Sequence, residues 1–364
     1  MRLSLMLAWC CFTWCAGAAG AELPWIVVAP EGKGFITAPE GRAFTPWGFN
    51  YDHDTQGRLL EDYWHDEWSL VETHFREMKR LGANVVRIHL QFGRFMQTAE
   101  TPHPDSLNQL RKLVGLAEDV GLYLDLTGLG CYHKADVPAW YDDLDESARW
   151  QAQCRFWEAI AQTCAHSPAI FCYDLMNEPV VPGGRRQPRD WLGPDFAGKH
   201  FVQFISLDQL QRPRPEIARQ WVSMLRQAIR RHDTRHLITV GLVDWSLDRP
   251  GITSGFVPEK IGDQLDFVCV HLYPRAGKLE EALETLRGFD IGKPVVIEET
   301  FPLWCSVEEF RTFMRRSRDY AHGWIGFYWG HSPAEIARYS ELNRALIQAW
   351  LDVFQQGPPA STQP

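Results

Sequence analysis

Short strand-like segments alternate with amphipathic helical patterns along most of the chain, and this alternation limits the possible folds more than any other feature. Strands separated by helices favour a parallel sheet, because each helical crossover returns the chain to the same edge. Eight segments rich in β-branched and aromatic residues predict buried strands. In chain order they are Trp47–Tyr51, Asn84–Leu90, Leu122–Thr127, Ile170–Met176, Leu237–Gly241, Asp266–His271, Pro294–Glu299 and Trp324–Trp329.

The segments between these strands have the spacing of helices that bury one face. Val71, Phe75 and Met78 lie three or four residues apart, and Gly82 follows them as a helix stop. Residues Ser69–Glu72 form the pattern of a capping box, in which a hydroxyl and a carboxylate satisfy reciprocal backbone donors. We therefore expect the serine to cap the first of these helices.

Eight strands alternating with helices in 364 residues predict an α/β fold of the (β/α)8 TIM-barrel type. The alternative is a doubly wound open sheet, which would need a glycine-rich phosphate turn after an early strand, and the sequence has none. Before the first barrel strand, Trp25–Val28, Gly34–Thr37 and Gly41–Phe44 predict a short N-terminal β-hairpin cover. Because no linker interrupts the pattern, residues 22–354 are predicted to form one domain.

Both ends of the chain are predicted to lie outside this domain. Arg2 precedes the apolar run Leu3–Trp14, and small residues up to Ala21 follow, which is the order of a secretory signal peptide over residues 1–21. A buried N-terminal helix and a lipid-anchored cysteine are the alternatives. The run is shorter than the roughly 20 apolar residues of a membrane span. We therefore expect an exported protein, extracellular or periplasmic, with residues 355–364 as a flexible C-terminal tail.

Cysteine usage and charge limit the possible partners. Six cysteines follow residue 21, an even number that permits disulfides without showing which pairs form. Cys172 and Cys269 fall inside predicted strands and are expected to be small buried hydrophobic residues. The net charge is −9 and no basic patch is interleaved with aromatics, so we expect no nucleic-acid partner.

Two long loops and one acidic segment are candidates for the wall of a cleft. The loops are 130–143 and 180–215, and loops of this length in a compact barrel are usually functional. The acidic segment, Asp52–Asp54, contains a histidine but lacks the spacing of known metal-ligand sets. We interpret it as a substrate-site wall or a plain loop, and we expect no metal and no cofactor.

Polar residues gather at the predicted C-terminal ends of the strands, where barrels of this type place their active sites. Glu178 follows the fourth strand and Glu299 ends the seventh, with Arg87 on the second and His271 on the sixth. Two carboxylates on opposite walls are what a glycosidase requires. One must stay protonated to donate to the leaving oxygen, and the other must stay ionised to attack the anomeric carbon or activate water.

A set of ordered motifs resembles glycoside hydrolase family 5. The motifs are Gly82–Ile88, Tyr173–Pro179, His271–Tyr273, Lys293–Glu299 and Gly326–Trp329. The resemblance implies a (β/α)8 barrel in which Glu178 is the acid/base and Glu299 is the nucleophile of a retaining enzyme. It further implies that Asn177 holds the sugar 2-hydroxyl and that Arg87 and Tyr273 bond to the nucleophile. By the same resemblance, His271 contacts the acid/base or the substrate, and Trp329 stacks under the sugar ring in the cleaved subsite.

Two positions near these motifs need separate interpretation. His89 shares a strand face with Arg87 and is interpreted either as a substrate contact or as a structural hydrogen bonder. Many members of the family have a histidine after the third strand, where this chain has Thr127. We therefore expect Thr127 to change the contact with the 3-hydroxyl region of the sugar.

Elementary electrostatics and strand geometry predict the state of the two acids on the seventh strand. Arg87 is expected to lower the pKa of Glu299 and keep it ionised. Side chains alternate along a strand, so Val295, Ile297 and Glu299 are expected to share one face, and Glu298 is expected to face the helices or a flanking loop. A retaining mechanism would place the two catalytic carboxyl groups roughly 5–5.5 Å apart.

The sequence therefore predicts a secreted, monomeric, retaining β-glycosidase. The expected substrate is a β-linked polysaccharide or oligosaccharide of the cellulose, β-glucan or mannan type. The alternatives are a non-catalytic carbohydrate-binding barrel, a metal-dependent barrel hydrolase and a transglycosylase in which a sugar hydroxyl resolves the intermediate. The identity of the sugar and the choice between endo and exo action stay open.

Overall fold

The computed structural model describes residues 23–327, 329–330, 332–338 and 341–359. The predicted signal peptide, the last five residues of the predicted tail and Tyr328 lie outside the described residues. Within these ranges, no helix combines the length and the apolar character that crossing a membrane requires.

Strands and helices alternate as the sequence predicts. The strands are β1 (Trp25–Val28), β2 (Phe35–Ala38), β3 (Ala43–Phe44), β4 (Trp47–Tyr51), β5 (Val85–Gln91), β6 (Tyr123–Gly130), β7 (Ile170–Asn177), β8 (Pro179–Val180), β9 (Gln203–Phe204), β10 (Leu237–Gly241), β11 (Val268–His271), β12 (Val295–Thr300) and β13 (Gly323–Gly326). The helices are α1 (Leu60–Tyr63), α2 (Trp68–Arg80), α3 (Phe92–Phe95), α4 (Pro104–Val120), α5 (Ala139–Asp142), α6 (Glu146–Cys164), α7 (Arg214–Arg230), α8 (Pro258–Ile261), α9 (Leu279–Arg287), α10 (Val307–Ser317), α11 (Pro333–Ile336) and α12 (Glu341–Phe354).

Eight strands form one parallel sheet in the order β10-β7-β6-β5-β4-β13-β12-β11. Backbone hydrogen bonds join the two edge strands of this order. Asp266 N donates to Ile238 O at 2.9 Å, and His271 N donates to Leu242 O at 2.7 Å. The sheet therefore closes on itself, which confirms the predicted (β/α)8 barrel. All eight strands bring their C-terminal ends to one rim.

The three-stranded antiparallel sheet β1-β2-β3 covers the opposite end of the barrel. Phe35 from β2 packs edge-on against Phe171 and Phe267, which lie where two barrel strands begin, with ring centroids 5.2 Å apart in both pairs. These rings belong to an apolar cluster with Val85 and Val296 from inside the barrel. The predicted N-terminal cover is thus confirmed, and it closes the end of the barrel that lies away from the polar rim.

The start of α2 differs from the prediction. The helix begins at Trp68, and Glu67, at the N-cap position, makes no side-chain capping bond. The indole of Trp68 donates to the Glu72 carboxylate at 2.9 Å. This carboxylate is therefore bonded to a side chain one turn earlier in the helix. Ser69 lies inside the helix, where its carbonyl accepts from the Thr73 hydroxyl at 2.7 Å. The capping box predicted at Ser69 is therefore wrong.

The six cysteines after residue 21 are unpaired thiols in the structure. Cys172 and Cys269 are fully buried inside the barrel, as predicted from their place in strand segments. Burial raises the pKa of both thiols well above the ordinary value, because a thiolate there would lose its hydration.

Candidate active site

Glu178 lies directly after β7, at a sharp change in chain direction. Its backbone φ is 47°, in the left-handed region that non-glycine residues rarely adopt. Two contacts hold this conformation: Glu178 N donates to Gly241 O at 2.9 Å, and the next residues form β8, which pairs with β9 from the long loop. The turn places the Glu178 side chain at the rim, where 18% of it is exposed.

Strand β12 contains a bulge at its acidic pair. Next to β11, Val270 pairs with Ile297 but His271 pairs with Glu299, so β12 has one residue more than its neighbour. The extra residue interrupts the alternation of side chains between the two faces of the strand.

The bulge overturns the predicted orientation of the two glutamates. Val295 and Ile297 belong to the core around the outer helices, whereas Val296 belongs to the cluster inside the barrel. Glu298 therefore points into the barrel and not towards the helices, and Glu299 reaches the same interior because the bulge follows. Glu298 is 0% exposed and Glu299 is 6% exposed, so of the two only Glu299 can meet a substrate.

Arg87 lies at the centre of the site and is fully buried. Its Nη1 donates to Glu299 Oε1 at 2.6 Å and to Asn50 Oδ1 at 2.9 Å. Its Nη2 donates to Asp174 Oδ2 at 2.8 Å and to Asn177 Oδ1 at 3.0 Å. One planar guanidinium thus sets the positions of side chains from β4, β7 and β12, a task that suits its fixed fork of donors.

Tyr273 and His271 complete the contacts of the two rim glutamates. The Tyr273 hydroxyl donates to Glu299 Oε2 at 2.7 Å. His271 Nδ1 lies 3.0 Å from Glu178 Oε1 and 3.5 Å from Glu299 Oε1. The ligand-type atoms of Glu178, His271 and Glu299 all lie within 4.8 Å of one another. Carboxylate oxygens this near to each other fit the retaining arrangement and lie well inside the roughly 6.5–9.5 Å of inverting glycosidases.

Burial and neighbouring charges shift the pKa values of Glu299 and His271. Burial raises the pKa of Glu299, and the opposing charges of His271 and Arg87 do not reverse this direction. Arg87 lowers the pKa of Glu299, as predicted, but burial has the larger effect, so the pKa of Glu299 lies above its ordinary value. Burial alone would lower the pKa of His271, but the carboxylates of Glu299, Glu178 and Glu298 raise it to about 10. The site thus contains two cations, Arg87 and His271, at neutral pH.

From its position in the family motif, Thr127 was expected at the rim, but it does not lie there. Strand β6 continues past it to Gly130, and Thr127 is 1% exposed. Its hydroxyl donates to Asp174 Oδ2 at 2.8 Å. Gly241 N donates to the other oxygen of the same carboxylate at 2.6 Å. Thr127 therefore helps to position Asp174, and its 1% exposure leaves almost no surface for contact with the 3-hydroxyl region of a sugar.

Gly241, at the end of β10, is a position where a side chain would not fit. A Cβ atom there would lie 3.0 Å from both Arg87 Nη2 and His271 Nε2, and 3.1 Å from Asp174 Oδ2. The absence of a side chain lets these three groups approach one another.

His89 is a structural hydrogen bonder in this site. It is 2% exposed; its Nε2 lies 3.1 Å from Asn50 Oδ1, and its Nδ1 is hydrogen bonded to the Tyr132 hydroxyl. Because an amide oxygen can only accept, Nε2 carries the hydrogen and Nδ1 accepts from the tyrosine. Burial and the charge of Arg87 keep the pKa of His89 well below its ordinary value, so the ring is neutral. Of the two interpretations of His89, the structure thus favours the structural hydrogen bonder over the substrate contact.

Trp329 does not offer a platform for a sugar ring. It is 2% exposed, and its ring packs against Phe49 and His74 with centroids 5.2 and 5.7 Å away. The predicted stacking role is not supported, because the buried Trp329 ring belongs to the hydrophobic core. Half-buried rings at the rim come instead from Phe201 and Phe327, whose centroids are 6.4 Å apart.

Both loops predicted as cleft walls reach the site. Phe201, in the loop between β8 and β9, accepts a hydrogen bond at its carbonyl from Asn177 Nδ2 at 3.0 Å. Tyr132, in the loop after β6, contacts His89 and packs against Phe201 with centroids 5.0 Å apart. In contrast, Asp52 is 1% exposed and lies 2.8 Å from His53 Nδ1, so its carboxylate does not face the cleft.

Sequence reasoning missed several residues that the structure brings to this site. They are Asn50, Asp174 and Gly241. Asn50 and Asp174 are polar residues inside otherwise apolar strand segments, and this was the available signal. Nothing in the local sequence marked Gly241.

Among the residues that the structure describes, two groups of side chains are close enough to hold a cation: Glu178 with His271 and Glu299, and Asp125 with Asp174 and Glu298. The guanidinium of Arg87 contacts a carboxylate of each group, at 2.6 Å from Glu299 and 2.8 Å from Asp174. Because this cation already balances both groups, we assign neither of them to a metal.

A closed (β/α)8 barrel with paired glutamates at its C-terminal rim defines a barrel-type glycoside hydrolase. Residues 48–300 match the family model for cellulase (glycosyl hydrolase family 5). The chain therefore belongs to glycosyl hydrolase family 5, which confirms the resemblance seen in the motifs. None of the curated protein sequences compared with the chain matches it.

Solved structures of mannan-active enzymes share the fold at low sequence identity. The exo-β-1,4-mannosidase Op5Man5 from Opitutaceae bacterium strain TAV5 is 16% identical, with a TM-score of 0.65 over 91% of this chain and 61% of that one. The β-1,4-mannanase from the sea hare Aplysia kurodai is 14% identical, with a TM-score of 0.61 over 91% and 96%. The β-mannanase from the blue mussel Mytilus edulis is 17% identical, with a TM-score of 0.59 over 91% and 95%. The chain thus spans 61% of the length of the mannosidase.

Proposed function

We propose that this family 5 enzyme is a retaining β-glycosidase in which Glu299 is the nucleophile and Glu178 is the acid/base. The observation that carries the proposal is the contrast between the two glutamates. Glu299 is held at both oxygens, by Arg87 at 2.6 Å and Tyr273 at 2.7 Å, whereas Glu178 stands at the rim with 18% of its side chain exposed. A fixed anion opposite a more accessible acid suits double displacement.

Each half of the reaction uses the pair in opposite roles. In the first half, Glu299 attacks the anomeric carbon while Glu178 donates its proton to the leaving oxygen. In the second half, Glu178 takes a proton from water, which attacks the anomeric carbon and releases Glu299. Asn177 uses one amide hydrogen for Phe201 O, at 3.0 Å, and its second amide hydrogen can donate to the sugar 2-hydroxyl.

The proposed substrate is a β-linked polysaccharide or oligosaccharide of the mannan, cellulose or β-glucan type. The solved structures that share the fold include proteins named as β-1,4-mannanases and an exo-β-1,4-mannosidase. We therefore propose β-mannosidic linkages as the first to be tested, with the enzyme acting as a monomer and without a cofactor.

The test is to incubate the chain from Glu22 onward with β-mannans, β-glucans and their short oligomers, beside Glu299→Gln. We expect reducing ends from the wild type and a loss of at least about 10³-fold in the variant, because the nucleophile is removed. Glu308→Gln is the matched control, since that side chain is 73% exposed and makes one long contact with Arg311. Equal activity in wild type and Glu299→Gln would refute the assignment. An inactive, folded protein that binds oligosaccharides would indicate a carbohydrate-binding barrel.

The stereochemistry is tested separately. We expect NMR spectra of the early products to show the β-anomer before mutarotation, and mass spectrometry to find a 2-fluoro sugar attached to Glu299. The α-anomer as first product would refute the retaining mechanism. Longer oligomers formed at high substrate concentration would show that a sugar hydroxyl competes with water.

We also propose that the protein is exported and that residues 1–21 are removed. The support is the order of a charged residue, an apolar run and small residues before Glu22. Expression of the whole chain in a bacterial host, followed by N-terminal sequencing of the exported protein, tests this. A product that keeps Met1 in the cytoplasm would refute the proposal.

A further inference from the structure

Glu298 is a buried carboxylate that the proposed reaction does not use. It is 0% exposed, and its oxygens lie near Asp125 and near three possible donors. The Cys269 thiol donates to Oε1 at 3.0 Å, Arg87 Nη2 lies 3.5 Å from Oε2, and His271 Nε2 lies 3.3 Å from Oε2. A carboxylate is costly to bury without partners, so these contacts must compensate for its lost hydration.

His271 connects this buried carboxylate to the rim. Its Nδ1 lies 3.0 Å from Glu178 Oε1, while its Nε2 lies 3.3 Å from Glu298 Oε2. The imidazole ring thus stands between two carboxylates, one on each nitrogen. It can donate to both only when both nitrogens carry a hydrogen, which is the cationic form.

The protonation of His271 decides which oxygen of Glu178 can carry the acidic proton. A neutral ring that donates to Glu298 would have a free lone pair on Nδ1, and the Glu178 proton would bind there. A cationic ring donates from Nδ1 to Oε1, so the proton of Glu178 must lie on Oε2. Only with a cationic His271 is the proton of Glu178 free to move to the leaving oxygen.

Resting on the proposed function, we propose that Glu298 is a positioning residue: its buried carboxylate keeps His271 doubly protonated, so that His271 donates to Glu178 Oε1 and the acidic proton stays on Oε2.

The charges around His271 support this arrangement. Acidic and basic groups from β5, from β7 and its end, from β12 and from the loop after β10 face the ring. The acidic groups are Asp174, Glu178, Asp244, Glu298 and Glu299, and the basic groups are Arg87 and His89, both from β5. Burial alone would raise the pKa of Glu298, but Arg87 and His271 lower it to about 2, so this group remains an anion. Burial and the charge of Glu298 raise the pKa of the neighbouring Asp125 well above its ordinary value.

The bulge in β12 explains how a single strand supplies both groups. Without the extra residue, side chains would alternate, and Glu298 and Glu299 would face opposite sides. With it, one glutamate contacts His271 from inside the barrel and the next contacts Arg87 and Tyr273 at the rim.

The test compares wild type with Glu298→Gln by NMR titration of histidines labelled at Cε1, with His271 assigned by its loss in His271→Asn. We expect His271 of the wild type to stay protonated up to at least about pH 8.5, in line with its raised pKa of about 10. In Glu298→Gln, we expect the midpoint to fall by at least about two pH units. We also expect kcat to fall about 10–100-fold with little change in KM, as for other buried partners that orient a functional histidine.

Asp125→Asn is the matched control. Asp125 is equally buried in the same cluster, and asparagine keeps its shape and can donate to Glu298. We therefore expect this variant to leave the His271 titration unchanged. An equal shift in both variants would show a general packing effect and would overturn the proposal.

The wild-type titration can still overturn the proposal if Glu298→Gln does not fold. A His271 midpoint near the ordinary value of about 6.5 in the wild type would overturn it. The NMR measurement needs no substrate, so it fails or succeeds separately from the reducing-end assay. A shifted His271 in an inactive protein would refute the proposed function and leave the charge arrangement intact.

Discussion

Replacement of Arg87 by lysine tests whether one guanidinium organises the site. The arginine donates four hydrogen bonds at 2.6–3.0 Å to side chains on three strands, and it is 0% exposed. Lysine keeps the positive charge but has one nitrogen, which cannot span the distance from Glu299 to Asp174. We expect it to keep about two of these bonds and to leave buried acceptors without donors.

The size of the effect follows from the number of bonds lost. A hydrogen bond to a charged group contributes about 1.5–3 kcal/mol, and lysine loses about two of the four. For Arg87→Lys we therefore expect the free energy of unfolding to fall by about 3–6 kcal/mol. We also expect kcat/KM to fall by at least about 10²-fold, because Glu299 loses its fixed partner.

Urea unfolding followed by tryptophan fluorescence measures the first quantity, and hydrolysis of the best oligomer measures the second. Arg94→Lys is the control, since Arg94 pairs with Asp62 at the surface and 41% of its side chain is exposed. That variant should change stability by less than about 1 kcal/mol. If Arg87→Lys were also within about 1 kcal/mol of wild type and fully active, the central role of the guanidinium would be refuted.

Two further predictions concern a catalytic contact and a remote buried acid. Tyr273→Phe removes the 2.7 Å hydrogen bond to Glu299 but keeps the aromatic ring. We therefore expect kcat to fall about 10–100-fold while the free energy of unfolding in urea changes little. An unchanged kcat would contradict this prediction. Burial alone would raise the pKa of Asp233, but hydrogen bonds, chiefly from His236, lower it to about 2. A folded pKa below the unfolded value of about 3.9 stabilises the protein above that pH by about 2 kcal/mol, and this contribution is lost as the pH falls towards 2. Asp233→Asn should therefore be less stable than wild type at pH 7, and the difference should shrink between pH 4 and pH 2; a constant difference would exclude this linkage.

The fold and the main acids could be predicted because they depend on local patterns. Buried strands of a parallel barrel are continuous apolar runs, and such runs are visible in a single sequence. Glu178 and Glu299 stand at the ends of these runs, where a barrel brings its strand ends together.

The errors fall where a neighbouring strand decides the outcome. Thr127 was placed at a strand end, but β6 continues to Gly130. Trp329 was placed at the rim, but β13 ends three residues earlier and the ring packs into the core. A pattern of apolar residues does not show the last residue of a strand, because that limit is set by pairing with the adjacent strands.

The sequence by itself determined the order of strands and helices, the barrel, the motif residues and the presence of two adjacent glutamates. Only the tertiary structure decided where each glutamate lies and which groups surround it. The bulge against β11 turns Glu298 and Glu299 to the same interior, and burial then raises the pKa of Glu299 while Arg87 and His271 lower that of Glu298. Strand periodicity is a local property of the chain, whereas register, burial and the charges that face a carboxylate depend on residues far apart in sequence.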